Sequence, residues 1–249
     1  GARLAIADAN AQKPTLNGKP VTFKLLSEDD QSDPRTAVAV AQRLVDEGVA
    51  AVVGHWNTGT SIPAARIYHD AGIAQVAPVS TGHGYTQQGF DTSFRVMGHD
   101  DDGGNYAGQY AVKTLKAQRI AVIDDRTAFG QGLADEFIKS LQAQGVQPVT
   151  REYVDDKTVD FSAVLTTVRS KNADLIFFGG VDSQAAPLAR KLKQLGMNAQ
   201  LMGAGGFVSQ TFLTLAQREG EGVVALEPGL PLEQMPGGKA FEQAYRDRY

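Results

Sequence analysis

Small hydroxyl side chains stand between a predicted strand and a predicted helix in the stretch VVGHWNTGTSIPAARIYHDAG, residues 52–72. Thr58, Thr60 and Ser61 follow the apolar run that ends at Val53. A helix N-terminus offers free N–H groups and the positive end of the helix dipole, so hydroxyls placed there suit a small anion such as a carboxylate. The alternative is that Thr58 or Thr60 simply caps the helix.

A second predicted strand ends in the same way, because Ala74–Ala77 runs into Val79, Ser80 and Thr81. In open α/β sheets the carboxyl ends of parallel strands meet at one edge, where ligands bind. Two loops of this kind can converge on one anion, which favours ligand binding over capping. Trp56 is the only Trp of the chain, and it either walls the same pocket or packs at a sheet edge.

Patterns for catalysis or for a bound metal are weak. The four histidines lack metal-ligand spacing, and neither a G-x-S-x-G elbow nor a phosphate-binding G-x-x-x-x-G-K loop is present. The run DDDGG at residues 100–104 suits Ca²⁺ in principle, but it is more typical of a solvated helix start. Asp124 and Asp125 close the strand pattern RIAVIDD and form either part of a ligand crevice or a structural turn. We therefore expect no enzyme, no cofactor and no metal.

Composition narrows the function classes further. The 249 residues carry a net charge of −4 and no basic run, which argues against nucleic acid as a partner. No stretch approaches the roughly 20 apolar residues of a membrane span, so we expect no direct membrane insertion. Cys is absent, which excludes disulfides and thiolate chemistry. No leader pattern opens the chain, and the sequence stops inside a helical pattern, so we expect an incomplete chain.

Strand-length apolar runs alternate with segments of helical period, and such alternation predicts an α/β fold with parallel sheets covered by helices on both faces. One helix is predicted in SDPRTAVAVAQRLVDEG, with Asp33 as N-cap and Gly48 as the stop. Predicted strands are Val21–Leu26, Ala50–Val53, Ala74–Ala77, Phe94–Met97, Arg119–Ile123, Pro148–Tyr153, Leu175–Phe178, Gln200–Met202 and Gly222–Leu226.

Seven segments in order resemble one family, the periplasmic leucine/isoleucine/valine-binding proteins, which are the type I solute-binding proteins of ABC importers. The segments are GARLAIADAN, DDQSDPRTAVAVAQRLVDEGVAAVVGH, PAARIYHDAGI, FRVMGHDDDGG, QRIAVIDDRTAFGQGLADEF, DFSAVLTTVRSKNADLIFFGG and LMGAGGF. The resemblance implies the two-lobe periplasmic-binding-protein type I fold, with ligand closed between the lobes. We expect residues 1–116 to form the N-terminal lobe without its first strand, 117–226 the C-terminal lobe, and 227–249 a crossover and the start of a returning helix.

The resemblance also implies a function and a site. It implies an extracytoplasmic, periplasmic receptor that binds a small carboxylate, a branched-chain or other amino acid, and delivers it to the membrane permease of an ABC importer. The alternatives are a ligand-sensing domain of a regulator or receptor, and a receptor for a non-amino carboxylate such as an aromatic acid. Carried over position by position, the first-lobe ligand residues are Trp56, Asn57, Thr58, Val79, Ser80 and Thr81.

From the second lobe, Phe129 matches an aromatic that covers the ligand. Two positions depart from the family pattern. Val181 stands where the family has an aromatic, and Gly205 stands where an acid pairs the ligand ammonium. The ammonium has thus lost its expected partner, and Asp182 or Asp125 is the candidate substitute.

Overall fold

The computed structural model describes residues 1–249. Its nine α-helices are α1 Ala2–Ala11, α2 Pro34–Asp46, α3 Thr58–Asp70, α4 Asp100–Lys113, α5 Ala128–Ala143, α6 Ser162–Ser170, α7 Asp182–Gln194, α8 Gln210–Ala216 and α9 Gly238–Arg248. Its ten strands are β1 Thr15–Leu16, β2 Lys19–Pro20, β3 Ala51–Val53, β4 Ala74–Ala77, β5 Ser93–Arg95, β6 Ile120–Asp124, β7 Thr150–Tyr153, β8 Leu175–Gly179, β9 Gln200–Ala204 and β10 Val224–Leu226. None of the helices is both long enough and apolar enough to cross a membrane.

Two parallel sheets form the two lobes. The first contains three strands in the order β3-β4-β5, and the second contains five in the order β10-β9-β8-β6-β7. All pairings within these two sheets are parallel, while β1 and β2 form a separate antiparallel pair. The predicted α/β class with parallel, helix-covered sheets is confirmed.

The second sheet is buried on both faces, which explains its continuous apolar strands. Alternate residues of β6 and β8 point into two different cores. Ile123 and Phe178 belong to an 18-residue cluster with α6, α7 and α8. Ile120 and Phe177 belong to a 13-residue cluster with α4 and α5. The stacked rings of Phe137 and Phe177, with centroids 3.9 Å apart, fix α5 on this second face.

Helix α4 packs with the second lobe, although the predicted boundary at residue 116 puts it in the first. Its small residues Ala107 and Ala111 are fully buried in the core beneath β6 and β8. An added methyl at Gly104 or Gly108 would collide with α5, so the two helices approach closely. This packing favours a first crossover near residues 96–99, and the boundary at 226 stays a prediction.

The predicted strand Val21–Leu26 is not part of a sheet, because no strand lies beside it to complete its backbone hydrogen bonds. The Asn10 side chain instead accepts from the N–H of Phe23 at 2.8 Å and donates to its carbonyl at 2.9 Å. The predicted start of α2 is confirmed, since the Asp33 carboxylate accepts from the N–H of Thr36 and Pro34 occupies the first turn.

Candidate ligand site between the two lobes

The loop after β3 delivers the N-terminus of α3 to the cleft. Asn57 is the N-cap residue, but its side chain makes no capping bond and its Oδ1 atom is buried without a partner. The N–H groups of Thr58 and Gly59 belong to the first turn, where no intrahelical acceptor exists. Behind this turn, His55 is held by Asp30 at 2.6 Å and by the Tyr68 hydroxyl at 3.1 Å. A rigid, donor-rich helix end therefore faces the opposite lobe.

The loops after β3 and β4 are fastened to each other by hydroxyl groups. The N–H of Gly82 donates to Thr58 Oγ1 at 3.0 Å, and the Thr58 side chain fills the space where a Gly82 side chain would stand. Ser80 is fully buried, with its Oγ 2.5 Å from Ser61 Oγ and 3.2 Å from the carbonyl oxygen of Trp56. The loops after β3 and β4 are thus joined directly by hydrogen bonds.

The second lobe presents the loop after β6 and the N-terminus of α5. Asp125 Oδ1 accepts from the N–H of Thr127 at 2.9 Å and from its hydroxyl at 2.6 Å. The Thr127 hydroxyl in turn accepts from the N–H of Gly130 and caps α5. Burial raises the pKa of Asp125, against the lowering effect of the Thr127 bonds. The carboxylate is therefore ordered by the fold but poorly solvated.

A cavity of about 770 Å³ lies between these loops. Helices α2, α3, α5 and α7 all begin at its wall, and a Cβ on Gly59 would stand 3.9 Å from Ala128 Cβ. Helix α2 begins with Pro34, which lacks an N–H, whereas the N-termini of α3, α5 and α7 bring free N–H groups and positive dipole ends to one volume. The lining residues are Ser32, Pro34, Asn57, Gly59, Asp125, Arg126, Thr127, Ala128, Phe129, Tyr153, Val154, Asp155, Asp156, Val181, Ser183 and Gln184.

A family model described as "Periplasmic binding protein" matches residues 1–249. The chain belongs to the periplasmic binding protein family. It is 39% identical to an amino acid binding protein of Pseudomonas aeruginosa, over 99% of this chain and 66% of that protein. It is 36% identical to Leu/Ile/Val-binding protein homolog 1 of Brucella abortus, over 100% of this chain and 66% of that protein. The chain thus spans 66% of the length of these curated relatives.

Solved structures of this binding-protein family superpose on both lobes. A leucine-binding protein of Thermotoga maritima has a TM-score of 0.88 at 28% identity, covering 99% of this chain and 70% of that one. The substrate-binding protein LivJ of a branched-chain amino acid transporter from Streptococcus pneumoniae, in complex with isoleucine, has a TM-score of 0.87 at 26% identity, covering 100% and 70%. The predicted type I fold of the family is confirmed.

Within this periplasmic binding protein, three of the predicted site residues line the cavity: Asn57, Phe129 and Val181. Trp56 is 66% exposed and lies outside the lining. Thr58, Val79, Ser80 and Thr81 belong to the two fastened loops but do not line the cavity. We predicted that Ser80 binds the ligand, but its hydroxyl already forms hydrogen bonds within the first lobe, with Ser61 Oγ and the His55 carbonyl. The prediction therefore needs correction for the Ser80 side chain.

Asp182, a candidate substitute for the missing acid, and Gly205, one of the two departures from the family pattern, have other structural roles. Asp182 Oδ2 accepts from the Ser209 hydroxyl at 2.6 Å and Oδ1 from the N–H of Ser183 at 2.7 Å, so this carboxylate ties α7 to the segment before α8. It does not line the cavity and is a poor partner for a ligand ammonium. Gly205 lies close to the segment that follows β10. A methyl group on Gly205 would stand only 2.8 Å from Cδ of Pro228 in that segment.

Sequence reasoning missed several cavity residues of the second lobe. Tyr153 ends β7, Arg126 follows β6, and the guanidinium of Arg126 stacks 4.6 Å from the Tyr153 ring centroid. Gln184 is 2% exposed, and its Nε2 donates to the carbonyl of Asp155 at 2.9 Å while Oε1 has no partner. In an open α/β sheet, ligands bind beyond the carboxyl ends of the strands. We applied this rule to the first lobe, and its use on each strand of the second lobe would have pointed to these residues.

Asp100 links the loop after β4 to α4. It is also a buried acid with one carboxylate oxygen that has no hydrogen-bond partner. Its N–H donates to the carbonyl of Thr81 at 3.0 Å, its side chain is buried at 5% exposure, and its Oδ2 has no hydrogen-bond partner. Burial raises the pKa of Asp100 to about 6, while the Thr81 hydroxyl and Arg95 act to lower it and Asp101 acts to raise it.

We expect this carboxyl group to reduce stability as pH rises. The pKa of Asp100 in the folded protein lies above the ordinary 3.8, so the folded state binds this proton more tightly than the unfolded state does. The resulting stabilisation is fully present below pH 3.8 and is lost as pH rises through 6. The loss amounts to about 3 kcal/mol in the free energy of unfolding. Urea unfolding of wild type and Asp100→Asn should be measured at about pH 4 and at about pH 7.5. Between these two pH values, the free energy of unfolding of the variant should rise relative to that of wild type by this amount. A difference independent of pH would contradict the assignment.

Proposed function

We propose that this protein is the extracytoplasmic receptor of an ABC importer and that it binds a small amino acid in the cleft between its lobes. The proposal is supported by relatives named as amino acid and Leu/Ile/Val-binding proteins and by a transporter substrate-binding protein solved with isoleucine. In this role the protein acts in the periplasm, performs no chemistry on its ligand and delivers it to a membrane permease.

The convergence of three helix N-termini on one cavity is the observation that carries the proposal. A carboxylate in the cavity that Gly59 and Ala128 line meets unpaired N–H groups from the first turns of α3 and α5. These donors are built into the backbone, so they remain in place whatever the side chains around them. Charge-assisted hydrogen bonds of this kind are stronger than neutral ones, which favours an anionic group over a neutral polar one.

Unpaired acceptors at the same cavity favour a ligand that also carries N–H groups. Gln184 Oε1 and Asn57 Oδ1 are buried and have no hydrogen-bond partner, and both residues line the cavity. The bond from Gln184 Nε2 to Asp155 fixes the amide so that its oxygen stays available. Buried acceptors without partners are costly, and a ligand amino group relieves that cost. An amino acid therefore suits the site better than a carboxylate without nitrogen.

Removal of the Thr58 hydroxyl tests the first-lobe side of the site. Thr58 Oγ1 accepts from the N–H of Gly82 and its O–H has no protein acceptor, so the hydroxyl, which lies just behind the cavity lining, can donate to a carboxylate bound at the first turn of α3. We expect Thr58→Val to weaken leucine binding by about 1.5–3 kcal/mol, through the lost charge-assisted bond and the loosened Gly82 loop. Isothermal titration calorimetry on the full-length protein measures this change.

Thr58→Ser is the matched control, because it keeps the oxygen for both bonds and should bind within about threefold of wild type. Leucine, isoleucine and valine should each be titrated, and a thermal shift with the same ligands gives an independent measure of binding. Unchanged affinity in Thr58→Val would remove this residue from the site. Absence of binding by every amino acid tested would reject the proposed function itself.

A further inference from the structure

One part of the cavity wall, which we call the polar rim, is formed by the loops after β6 and β7. In this parallel pair, Asp124 is in register with Tyr153, and the N–H of Val154 donates to the carbonyl of Asp124 at 2.9 Å. The two strands therefore end at the same level, about 4.8 Å apart, and the loops that follow them start side by side. The cavity-lining residues of the polar rim are Arg126, Tyr153, Asp155 and Asp156.

The polar rim carries two charges of opposite sign that no protein group neutralises. The guanidinium of Arg126 stacks on the Tyr153 ring, 4.6 Å from its centroid, and no carboxylate lies within 4.0 Å of it. Asp156 likewise has no cation within 4.0 Å. The rim therefore offers a fixed guanidinium donor and a carboxylate acceptor to whatever occupies the cavity.

A buried acceptor at the same rim distinguishes it from an ordinary solvated surface. Gln184 lines the cavity and is 2% exposed. Its Nε2 donates to the carbonyl of Asp155 at 2.9 Å, whereas its Oε1 has no partner. A buried oxygen without a donor is costly, and a ligand N–H group placed beside Asp155 relieves that cost. Asn57, the other unpartnered acceptor, belongs to the α3 end of the cavity, so the two acceptors suit opposite ends of one ligand.

The charges of the rim determine which kind of side chain fits. An anionic side chain would face Asp156 and Asp125, and although burial is the main cause that raises the pKa of Asp125, the charge of Asp156 already adds to it. A cationic side chain would face Arg126. An apolar side chain would desolvate both charges without pairing either of them. A carboxamide carries one oxygen acceptor and two N–H donors and has no net charge, so it satisfies both groups.

We propose that the polar rim is a side-chain subsite that selects amino acids with a carboxamide side chain. The carboxamide oxygen accepts from the Arg126 guanidinium, and its NH2 group donates to Asp156. The cavity of about 770 Å³ leaves room for a side chain that extends from the helix N-termini to the rim, and five of its sixteen lining residues are hydrophobic. This inference rests on the proposed function and names the side-chain class of the ligand.

Ligands that differ at the end of the side chain test the polar rim. Calorimetry on the full-length wild-type protein should compare glutamine and asparagine with glutamate and leucine. We expect the dissociation constant of the better amide to be lower than those of glutamate and leucine by about 10-fold or more, because a hydrogen bond to a charged group is stronger than one between neutral groups.

Substitutions at the two charges test whether the rim is the cause of this preference. In Arg126→Met and in Asp156→Ala, the dissociation constant of the amide should rise by about 10- to 100-fold, and that of leucine should change by less than about threefold. Lys157→Met is the matched control, because Lys157 is an exposed charge of the same loop that does not line the cavity. It should leave both ligands unaffected. Melting temperatures without ligand verify that each variant is folded.

Three results would overturn the proposal. The first is wild type that binds leucine at least as tightly as both amides. The second is an equal loss of amide and leucine in Arg126→Met, which would indicate a disturbed loop. The third is a preference for glutamate that Arg126→Met abolishes, which would assign the subsite to a carboxylate. If wild type binds no amino acid at all, the proposed function itself fails, and that outcome is read from wild type alone.

Discussion

Gly179→Ala should lower the free energy of unfolding by about 3 kcal/mol and should weaken ligand binding at the same time. A methyl group on Gly179, the last residue of β8, would collide with the carbonyl oxygen of Gly130 in the first turn of α5. This oxygen belongs to the backbone, so no side-chain rotation relieves the collision and the helix itself must move. Its N-terminus lies at the cavity wall, so the displacement removes donors from the ligand.

Gly132→Ala is the matched control for this substitution. Gly132 lies in the same helix, and a Cβ there meets no atom within 4 Å. Alanine is the better helix former, so this variant should be more stable than wild type by up to about 1 kcal/mol. Chemical unfolding and leucine titration of both variants are the measurements. Equal stability of Gly179→Ala and wild type would show that β8 and α5 are not in close backbone contact.

Arg151→Met should lower the free energy of unfolding by about 3–5 kcal/mol. Arg151 Nη2 lies 2.9 Å from Oδ2 of Asp124, whose side chain is 0% exposed. Removal of the cation leaves a buried carboxylate with only the N–H of Arg126 as a partner. The same loop leads to Asp125 and Thr127, so we expect weaker leucine binding as well. Urea unfolding at neutral pH measures the stability change.

Asp135→Asn provides the control, because Asp135 contacts the same guanidinium at 2.6 Å but is 49% exposed. Water screens that pair, so its loss should cost no more than about 1 kcal/mol. If Arg151→Met and Asp135→Asn destabilise the protein equally, burial of Asp124 is not what makes the first pair important.

The sequence predicts the second lobe better than the first, and the reason is packing. Strands β6 and β8 are covered on both faces, so every residue from Ile120 to Asp124 and from Leu175 to Gly179 is buried, and continuous apolar runs identify them. The segment Val21–Leu26 has a strand-like composition but no neighbouring strand. The local residue pattern therefore predicts an extended backbone in this segment. Whether that backbone joins a sheet depends on a partner strand from another part of the sequence.

The site was predictable where a local motif positions it and not where distant segments meet. Asn57, Phe129 and Val181 each stand at the junction of a strand and a helix, a junction that the residue pattern indicates. Gly205 is an example, because the Pro228 ring close to it belongs to a later segment of the chain. That neighbour is not encoded in the spacing of residues. The roles of Asp182 and Ser80 likewise depend on partners that folding brings to them.

The bond from the Asp100 N–H to the Thr81 carbonyl joins the loop after β4, which belongs to the first sheet, to helix α4, which packs against the second sheet. If the two lobes rotate relative to each other, a hydrogen bond that links them is kept only when the rotation axis passes near it. We therefore expect any closure of the cleft that keeps this bond to displace the backbone around Thr81 least and the parts of the cleft far from it most.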